Sequence, residues 1–387
     1  MTGIATPPPS DDLDPLPPVQ VEAVELVTVR LPLATPLASA AGARAERTVL
    51  LLRVRASEAE GWAECVAEVA PTYAPEFVAG AALVLREHLL PRAWDALGDA
   101  DAVAAAVAPV QGHPMAKAAL ELAVLDAQLR AADRSLASWL GATEAAVPAG
   151  AALGLHPTND ALLAEADEAL AAGAARLRVK VAPGRAAQPL RVLRAYLGDD
   201  VVLQADANGS FRADDPEHLD ELDHLDDLGL ACLEQPLPAD DLTGSARLAR
   251  RLRTPVCLDE PITSLGALEA AVALGALNML CLKPGRVGGW RTARAVHRRC
   301  QELGLPVWVG GMLETGVGRA ANLAVAGLPG MALPPDLDPR GRFAPDLADP
   351  RLPGPDGLVA LPTGPGTGAV PDPSALDGAA VTRIDAP

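Results

Sequence analysis

Short apolar runs alternate with longer amphipathic segments from about residue 147 onward. A glycine repeatedly follows the amphipathic segment, and glycine is the residue that accepts the left-handed conformation at a helix end. Repetition of one strand and one helix predicts parallel strands joined by helical crossovers. The predicted strands are 147–153, 177–181, 201–206, 231–234, 255–259, 279–283 and 306–311, with a last one near 331–334.

Eight parallel strands favour a closed (β/α)8-type barrel over an open doubly wound sheet. No G-x-G-x-x-G follows an early strand, which also counts against a nucleotide-binding sheet. We therefore predict an α/β barrel over residues 144–343.

The chain before the barrel has a different pattern. Residues 21–31 and 47–55 are typical of strands, and residues 114–131 carry apolar side chains at helical spacing. These segments predict a small α+β domain. The expected divisions are a disordered segment over 1–20, a capping domain over 21–143 joined by part of 344–372, and a loose tail over 373–387.

Ionisable residues stand at the ends of five consecutive predicted barrel strands. In chain order they are Lys180, Asp206, Glu234, Asp259 and Lys283. The C-terminal ends of barrel strands meet at one mouth, where catalytic groups lie. Three carboxylates brought together repel one another, and a hard divalent cation with oxygen ligands relieves that repulsion.

Lysine is rare in this chain. Of 32 basic residues only Lys117, Lys180 and Lys283 are lysine, and two of them end barrel strands. A desolvated lysine can lose its proton near neutral pH, whereas arginine cannot. A base of this kind, with a cation that stabilises the enolate, predicts removal of a proton next to a carboxylate. We expect burial and neighbouring cations, the metal and Arg178, to lower the lysine pKa.

Charge and composition exclude some partners. The net charge of -18 argues against nucleic acid or an anionic membrane as a partner. The five cysteines have no C-x-x-C spacing, so we expect reduced thiols in a cytoplasmic protein. The expected partner is a small carboxylate substrate, and because such barrels frequently assemble we expect a homo-oligomer.

The strand-end residues resemble those of the enolase superfamily, in its muconate-lactonizing subgroup, which has a modified barrel of the β/α 7β type. The segments GWAECVAEVAPTYAPEF, HPMAKAALELAVLDAQLRA, CLKPGRVGGW and VPVWVGGMLETGVGRAANLAVAGLP are similar to those of o-succinylbenzoate synthases that also racemise N-succinylamino acids. The similarity extends over nearly all of the chain beyond residue 21.

This resemblance implies roles for individual residues. Lys180 and Lys283 would be the acid/base pair, and Asp206, Glu234 and Asp259 would bind one Mg2+, with Mn2+ as a substitute. The implied supporting residues are Asn208 and Glu260 beside the metal, Tyr73, Gly311 and Leu313 on the pocket wall, and Arg286, which accompanies racemase ability in this group.

Arg178, Glu68 and the loop 36–42, which lacks the aromatic residue common in the family, depart from the family pattern, and a D-x-D motif near the last strand is either a loop coincidence or a binding motif. Arg178 replaces the first lysine of K-x-K, which keeps the charge but adds a bulkier planar group. Glu68 stands where an apolar pocket residue is usual. It either points to solvent or points inward, where it would repel a succinyl carboxylate. The D-x-D at Asp336 and Asp338 resembles the pair with which dipeptide epimerases bind a substrate ammonium.

Three functions therefore remain open from the sequence. The leading one is an o-succinylbenzoate synthase or N-succinylamino acid racemase activity. The second is epimerisation of dipeptides or another amino-acid derivative, and the third is a non-catalytic scaffold, which has no need of a buried carboxylate cluster.

Overall fold

A four-stranded antiparallel sheet forms the centre of the first domain. The computed structural model describes residues 13–40 and 42–385. Across this sheet the strands lie in the order Ala380–Asp385, Val21–Ser39, Gly42–Ala56 and Glu60–Cys65. One face, with Val24 and Leu52, packs against the domain's helices, and the other, with Val29, packs against Phe343 and Leu347. Both faces are therefore covered. The strands are β1 (Val21–Ser39), β2 (Gly42–Ala56), β3 (Glu60–Cys65) and β12 (Ala380–Asp385).

Strand β12 corrects the prediction of a loose tail over 373–387. Its residues pair with Ala23 to Thr28 of β1, because the edge of β1 offers unpaired backbone groups to an extended chain. The prediction of disorder over 1–20 is also wrong for residues 13–20. The backbone N–H of Val19 donates to the carbonyl of Gly98 (2.9 Å), and Trp139 Nε1 donates to the carbonyl of Asp14 (3.0 Å). Residues 1–12 lie outside the described residues.

The helices of the first domain cover one face of the sheet. The longest has small and apolar side chains on nearly every side and is buried against β2 and β3. The helices are α1 (Val78–Val84), which a π turn (Leu85–Leu89) continues, α2 (Leu90–Ala93), α3 (Ala100–Val107), α4 (Pro114–Ala131) and α5 (Leu136–Leu140).

Seven parallel strands then alternate with helices, as the sequence predicted. Their bounds are β4 (Ala146–Leu153), β5 (Ala174–Lys180), β6 (Val202–Asp206), β7 (Leu233–Glu234), β8 (Val256–Leu258), β9 (Met279–Leu282) and β10 (Val307–Val309). The helices between and after them are α6 (Asn159–Ala171), α7 (Ala187–Leu197), α8 (Pro216–Leu225), α9 (Leu242–Arg251), α10 (Leu265–Leu274), α11 (Trp290–Leu303) and α12 (Gly316–Ala326). The predicted α/β barrel with an α+β capping domain is confirmed.

The predicted eighth strand at 331–334 is wrong. The chain there is irregular because Pro334 and Pro335 have no N–H to donate to a strand ladder. The segment still links the two ends of the sheet, since Asp336 donates its N–H to Val309 and Gly150 donates to Pro335. A short strand, β11 (Leu358–Ala360), instead adds antiparallel to β4.

The barrel interior is filled below the mouth. Cys232, Cys257, Cys281, Met279 and Trp308 form a small buried cluster between the strands. All five cysteines are buried and unbonded to one another, in agreement with the expected reduced thiols. Among the described residues, we find no helix long and apolar enough to cross a membrane.

Candidate active site

The five ionisable residues predicted from the strand ends meet at one mouth of the barrel. Lys180 and Asp206 are direct neighbours across the β5–β6 ladder, and Asp206 and Glu234 across the β6–β7 ladder. Asp259 directly follows β8 and Lys283 directly follows β9. All five side chains are buried, so this mouth concentrates charge away from water.

Lys180 lies on one side of the carboxylates. Its ammonium nitrogen is 2.6 Å from Asp206 Oδ2 and 2.8 Å from Asn208 Oδ1. The amide of Asn208 donates to Glu260 (3.1 Å), and the backbone N–H of Asn208 donates to Asp206 (3.0 Å). Asn208 adopts a left-handed backbone (φ 44°), a conformation that asparagine tolerates better than most residues. This turn therefore holds the Lys180 side of the site.

Lys283 lies on the other side and has two oxygen partners. Its nitrogen is 2.7 Å from Asp259 Oδ2 and 2.7 Å from the hydroxyl of Tyr73, which itself donates to Asp259 (2.7 Å). Arg286 donates to the second oxygen of Asp259 and contacts the Tyr73 hydroxyl (3.2 Å). Because Tyr73 comes from the capping domain, both domains build this half of the site.

Arg178 lies beneath the lysines and joins three carboxylates. Its Nη1 is 2.7 Å from Asp206 and 3.1 Å from Glu234, and its Nη2 is 2.6 Å from Asp336. Its guanidinium also lies 5.9 Å from the centre of the Trp308 ring. The positive charge expected at this position is present, and it neutralises the floor of the site.

The carboxylates can supply ligands for a hard cation. Ligand atoms of Glu234, Asp259 and Cys281 lie within 4.8 Å of one another. Asp206 lies outside this close group, and its carboxylate contacts Arg178 and Lys180. The oxygen donors fit a divalent cation of the Mg2+ type, whereas the Cys281 thiol is a soft donor that such a cation does not favour.

Burial and mutual repulsion change the acidity of these groups. Burial raises the pKa of Glu234 to about 7, although Arg178 partly opposes it. Burial and the charges of Asp259 and Asp206 raise the pKa of Glu260 to about 8. Burial acts in the same direction on Asp259, but Arg286 and Lys283 outweigh it and hold its pKa well below the usual range. The site therefore favours added positive charge.

The protein side chains around Lys283 act on its pKa in opposite directions. Burial acts to lower it, but the adjacent carboxylate of Asp259 outweighs burial and raises the pKa of Lys283 well above its ordinary value. The surrounding side chains alone thus do not produce the lowered lysine pKa that the sequence predicted. A lowered pKa of Lys283 requires a group that draws the carboxylate of Asp259 away from the lysine.

One cleft of about 820 Å³, counting space open to solvent, connects these groups to the surface. The predicted wall residues Tyr73, Gly311 and Leu313 line it, as do Lys180, Lys283, Arg178, Asn208 and Glu68. Glu260 and Arg286 stand behind this wall, where Glu260 accepts a hydrogen bond from Asn208 and Arg286 contacts the hydroxyl of Tyr73.

Comparison with known proteins assigns the chain to a family. A sequence profile for the N-terminal domain of mandelate racemase and muconate lactonizing enzymes matches residues 21–141. A second profile, described as enolase C-terminal domain-like, matches residues 161–375, more than half of the chain. The chain belongs to the enolase superfamily.

Named relatives of this enolase-superfamily protein align along nearly its whole length. It is 43% identical over 371 residues to an N-succinylamino acid racemase from Amycolatopsis, covering 95% of this chain and 99% of that protein. It is 37% identical over 354 residues to an o-succinylbenzoate synthase from Geobacillus kaustophilus, covering 90% and 93%. A crystal structure of an enolase-superfamily member from Listeria innocua superposes with a TM-score of 0.87 at 31% identity, covering 95% and 100%.

Glu68, one of the departures from the family pattern, does face the cleft. Its carboxylate pairs with Arg44, which also lines the cleft and stands near the start of β2. Glu68 therefore does not point to solvent. The negative charge of its carboxylate is balanced by Arg44. Arg44 could not be identified from the sequence, because its pairing with Glu68 depends on how the capping sheet places β2 beside the chain after β3.

The two carboxylates of the D-x-D also lie at the cleft and are already paired. Asp336 contacts Arg176 and Arg178 at 2.6 Å each. Asp338 contacts Arg340 at 2.7 Å and Arg342 at 2.6 Å. Each of these two carboxylates therefore serves two arginines.

Proposed function

We propose that this protein removes a proton from the carbon next to a substrate carboxylate. The observation that carries the proposal is the position of Lys180 and Lys283. They reach one cleft from opposite sides of the carboxylates Asp206, Glu234 and Asp259. A pair of bases on either side of a carbon can exchange its proton on both faces.

In racemisation, the neutral amine of one lysine takes the alpha proton, and the C–H electron pair remains on the substrate as an enolate. The ammonium of the other lysine then donates a proton to the opposite face. In dehydration, Lys180 takes the proton and returns it to the departing hydroxide as water. A carbon–carbon double bond forms while Lys283 stabilises the enolate charge.

We propose that Asp206, Glu234 and Asp259 hold one Mg2+, or Mn2+ in its place. When bound, this cation supplies positive charge beside the substrate carboxylate. Asn208 positions Lys180 and is itself supported by Glu260. Tyr73 and Arg286 position Lys283 and Asp259 in the same way.

The substrate class we propose is that of the named relatives. These substrates are N-succinylamino acids for a racemase and the precursor of o-succinylbenzoate for a synthase. Gly311 and Leu313 would form the wall against the substrate body. Epimerisation of dipeptides is less well supported, since an ammonium would have to compete with four arginines for Asp336 and Asp338.

Alpha-deuterium incorporation tests the proposal. The protein is incubated in deuterated water with Mg2+ and, separately, N-succinylamino acids, dipeptides and the synthase substrate. We expect exchange with the N-succinyl compounds or dehydration of the synthase substrate. Exchange into dipeptides alone would favour the epimerase, and the absence of both reactions would favour the scaffold.

The chain offers a matched set of lysine variants. Lys180→Ala and Lys283→Ala should each abolish racemisation. Lys117→Ala removes the remaining lysine, which lies on α4 and donates to the carbonyl of Val110, and should retain full activity. Full activity in either of the first two variants would contradict the two-base mechanism.

Thermal unfolding with added Mg2+ tests the metal site without an activity assay. We expect Mg2+ to raise the unfolding temperature of the wild type and to have no effect on Asp259→Asn, because binding to the folded state alone stabilises it. We further propose a homo-oligomer in the cytoplasm that binds neither nucleic acid nor membranes. Light scattering measures the assembly.

A further inference from the structure

Four arginine side chains line the cleft, and one of them differs from the other three. Arg44 pairs with Glu68, Arg342 with Asp338, and Arg178 with three carboxylates. Arg319 has no carboxylate within ion-pair distance among residues 13–40 and 42–385. Every other arginine of the cleft wall is thus neutralised by the protein itself.

Arg319 stands in the first turn of α12 and is only 4% exposed. Its Nη2 donates to the backbone carbonyls of Asp338 and Arg351, both at 3.3 Å. Its Nε is buried and has no acceptor in the described part of the chain. A buried cation that only carbonyl groups satisfy is costly, because burial without a partner of opposite charge disfavours the charged form.

The acidic groups around Arg319 are engaged elsewhere. Asp338 serves Arg340 and Arg342, and Glu314 accepts hydrogen bonds from the backbone of Met312 (2.7 Å) and from Asn322 (2.9 Å). Asp346 accepts through Oδ1 from the backbone N–H groups of Gly316 (2.8 Å) and Leu347 (2.6 Å). Its Oδ2 has no hydrogen-bond partner in the described part of the chain and makes no ion pair with Arg319 there. Burial outweighs the attraction of these carboxylates and lowers the pKa of Arg319 below its ordinary value.

We propose that Arg319 binds the second carboxylate of a dicarboxylate substrate. This inference rests on the proposed function, in which the alpha carbon lies between Lys180 and Lys283 and the first carboxylate lies beside the cation site. The N-succinyl arm carries a second carboxylate, and a carboxylate is the group that satisfies a guanidinium with charge-assisted hydrogen bonds. Arg319 would then determine the preference for a succinyl arm over an uncharged acyl arm.

Arg44 is the competing candidate for the same role. Its partner Glu68 faces the cleft and would repel an arriving carboxylate, so the pair offers little net attraction. Arg319 has no such counter-charge to displace. Replacement of Arg319 by an uncharged residue should therefore weaken the preference for the succinyl arm, whereas the same replacement of Arg44 should not.

The test compares two substrates that differ only in the charge of the arm. One is an N-succinylamino acid, and the other is its N-succinamoyl analogue, in which a carboxamide replaces the distal carboxylate. Hydrogen bonds to charged groups contribute about 1.5–3 kcal/mol, which is roughly a 10- to 150-fold change in affinity. We expect Arg319→Met to raise KM for the succinyl substrate by that factor and to leave kcat and the KM of the analogue nearly unchanged.

Arg319→Lys should recover part of the loss, since an ammonium retains the charge but not the planar fork. Arg44→Met should not reduce the preference for the succinyl arm. Equal losses with both substrates in Arg319→Met would show a structural role and overturn the proposal. Loss of the preference in Arg44→Met alone would also overturn it.

Binding separates this inference from the proposed function. Calorimetric titration of the Mg2+-loaded wild type and Arg319→Met uses the same pair of compounds. A preference for the succinyl compound that Arg319→Met loses supports the subsite, even if neither compound is turned over and the proposed function fails. Wild-type protein that binds both compounds equally well overturns the subsite, whatever the activity.

Discussion

Gly310 sits directly after β10 with its Cα facing the stem of Lys283. A methyl group added there would overlap Cys281 Sγ and would lie 2.9 Å from Lys283 Cε. Since carbon atoms in contact prefer about 3.5–4.0 Å, the lysine stem must move by roughly 0.6–1.1 Å. Gly310→Ala therefore perturbs the position of Lys283 without changing any ionisable group.

Two magnitudes follow for Gly310→Ala. Overpacking of a buried site costs about 1–3 kcal/mol of unfolding free energy. A displacement of about 1 Å at a reacting group can lower the rate by about 100-fold. Urea unfolding measures the first quantity, and alpha-deuterium exchange with an N-succinylamino acid measures the second.

Two further variants make the prediction specific. Gly266→Ala introduces the same methyl group in α10, where the nearest atom is Ser264 Oγ at 3.8 Å, and should gain up to about 1 kcal/mol. Adding Cys281→Ala to Gly310→Ala removes the overlapping sulfur and should restore part of the stability. Wild-type stability and a wild-type exchange rate in Gly310→Ala would contradict the expected displacement of Lys283.

Other predictions concern ion pairs and the sheet edge. Burial alone would raise the pKa of Asp336, but Arg178 and Arg176 outweigh it and lower the pKa to about 2. A depressed pKa stabilises the fold above the unfolded-state value of about 3.9, so Asp336→Asn should cost about 2–3 kcal/mol at pH 7. That difference should shrink as the pH falls from about 4 toward 2, which urea unfolding at several pH values can measure; a pH-independent difference would contradict it. A chain ending at Ala379 lacks β12, whose side chains are mostly exposed. It should lose less than about 2 kcal/mol but self-associate more in light scattering, because the edge of β1 is uncovered. Glu64→Ala should cost about 3–5 kcal/mol of unfolding free energy in urea, since it leaves the buried Arg47 without its partner at 2.8 Å. Asp223→Ala, which removes the exposed partner of Arg251, should cost less than about 1 kcal/mol.

The chemical centre could be predicted from the sequence because of the regularity of the barrel. Strand ends in a parallel barrel point to one mouth, so periodicity alone brings Lys180, Asp206, Glu234, Asp259 and Lys283 together. The identity of each end residue needs no knowledge of distant contacts. For the same reason, the seven parallel strands were predicted within a few residues of their bounds.

What the sequence could not predict depends on contacts between distant segments. The pairing of Arg44 with Glu68 requires the capping sheet to place β2 beside the chain after β3. The engagement of Asp336 by Arg176 and Arg178 requires barrel closure by an irregular segment. Strand β12 looked like a polar tail because only one side of it meets the protein.

The same limit applied to the acidity of Lys283. Burial and a nearby cation were considered, but the 2.7 Å contact with Asp259 and the hydroxyl of Tyr73 could not be foreseen. A pKa is a balance between desolvation and specific partners, and only the desolvation can be inferred from an apolar strand.

The scarcity of lysine limits the number of side-chain amines that a reagent can reach on this protein. Lys180 and Lys283 are buried in the cleft, and Lys117 is half-buried with its nitrogen bonded to a backbone carbonyl. An amine-directed acylating reagent would therefore find few competing side chains on the folded chain. Mass spectrometry of such labelling would report access to the cleft almost without background, and a bound ligand would appear as protection of two identified peptides.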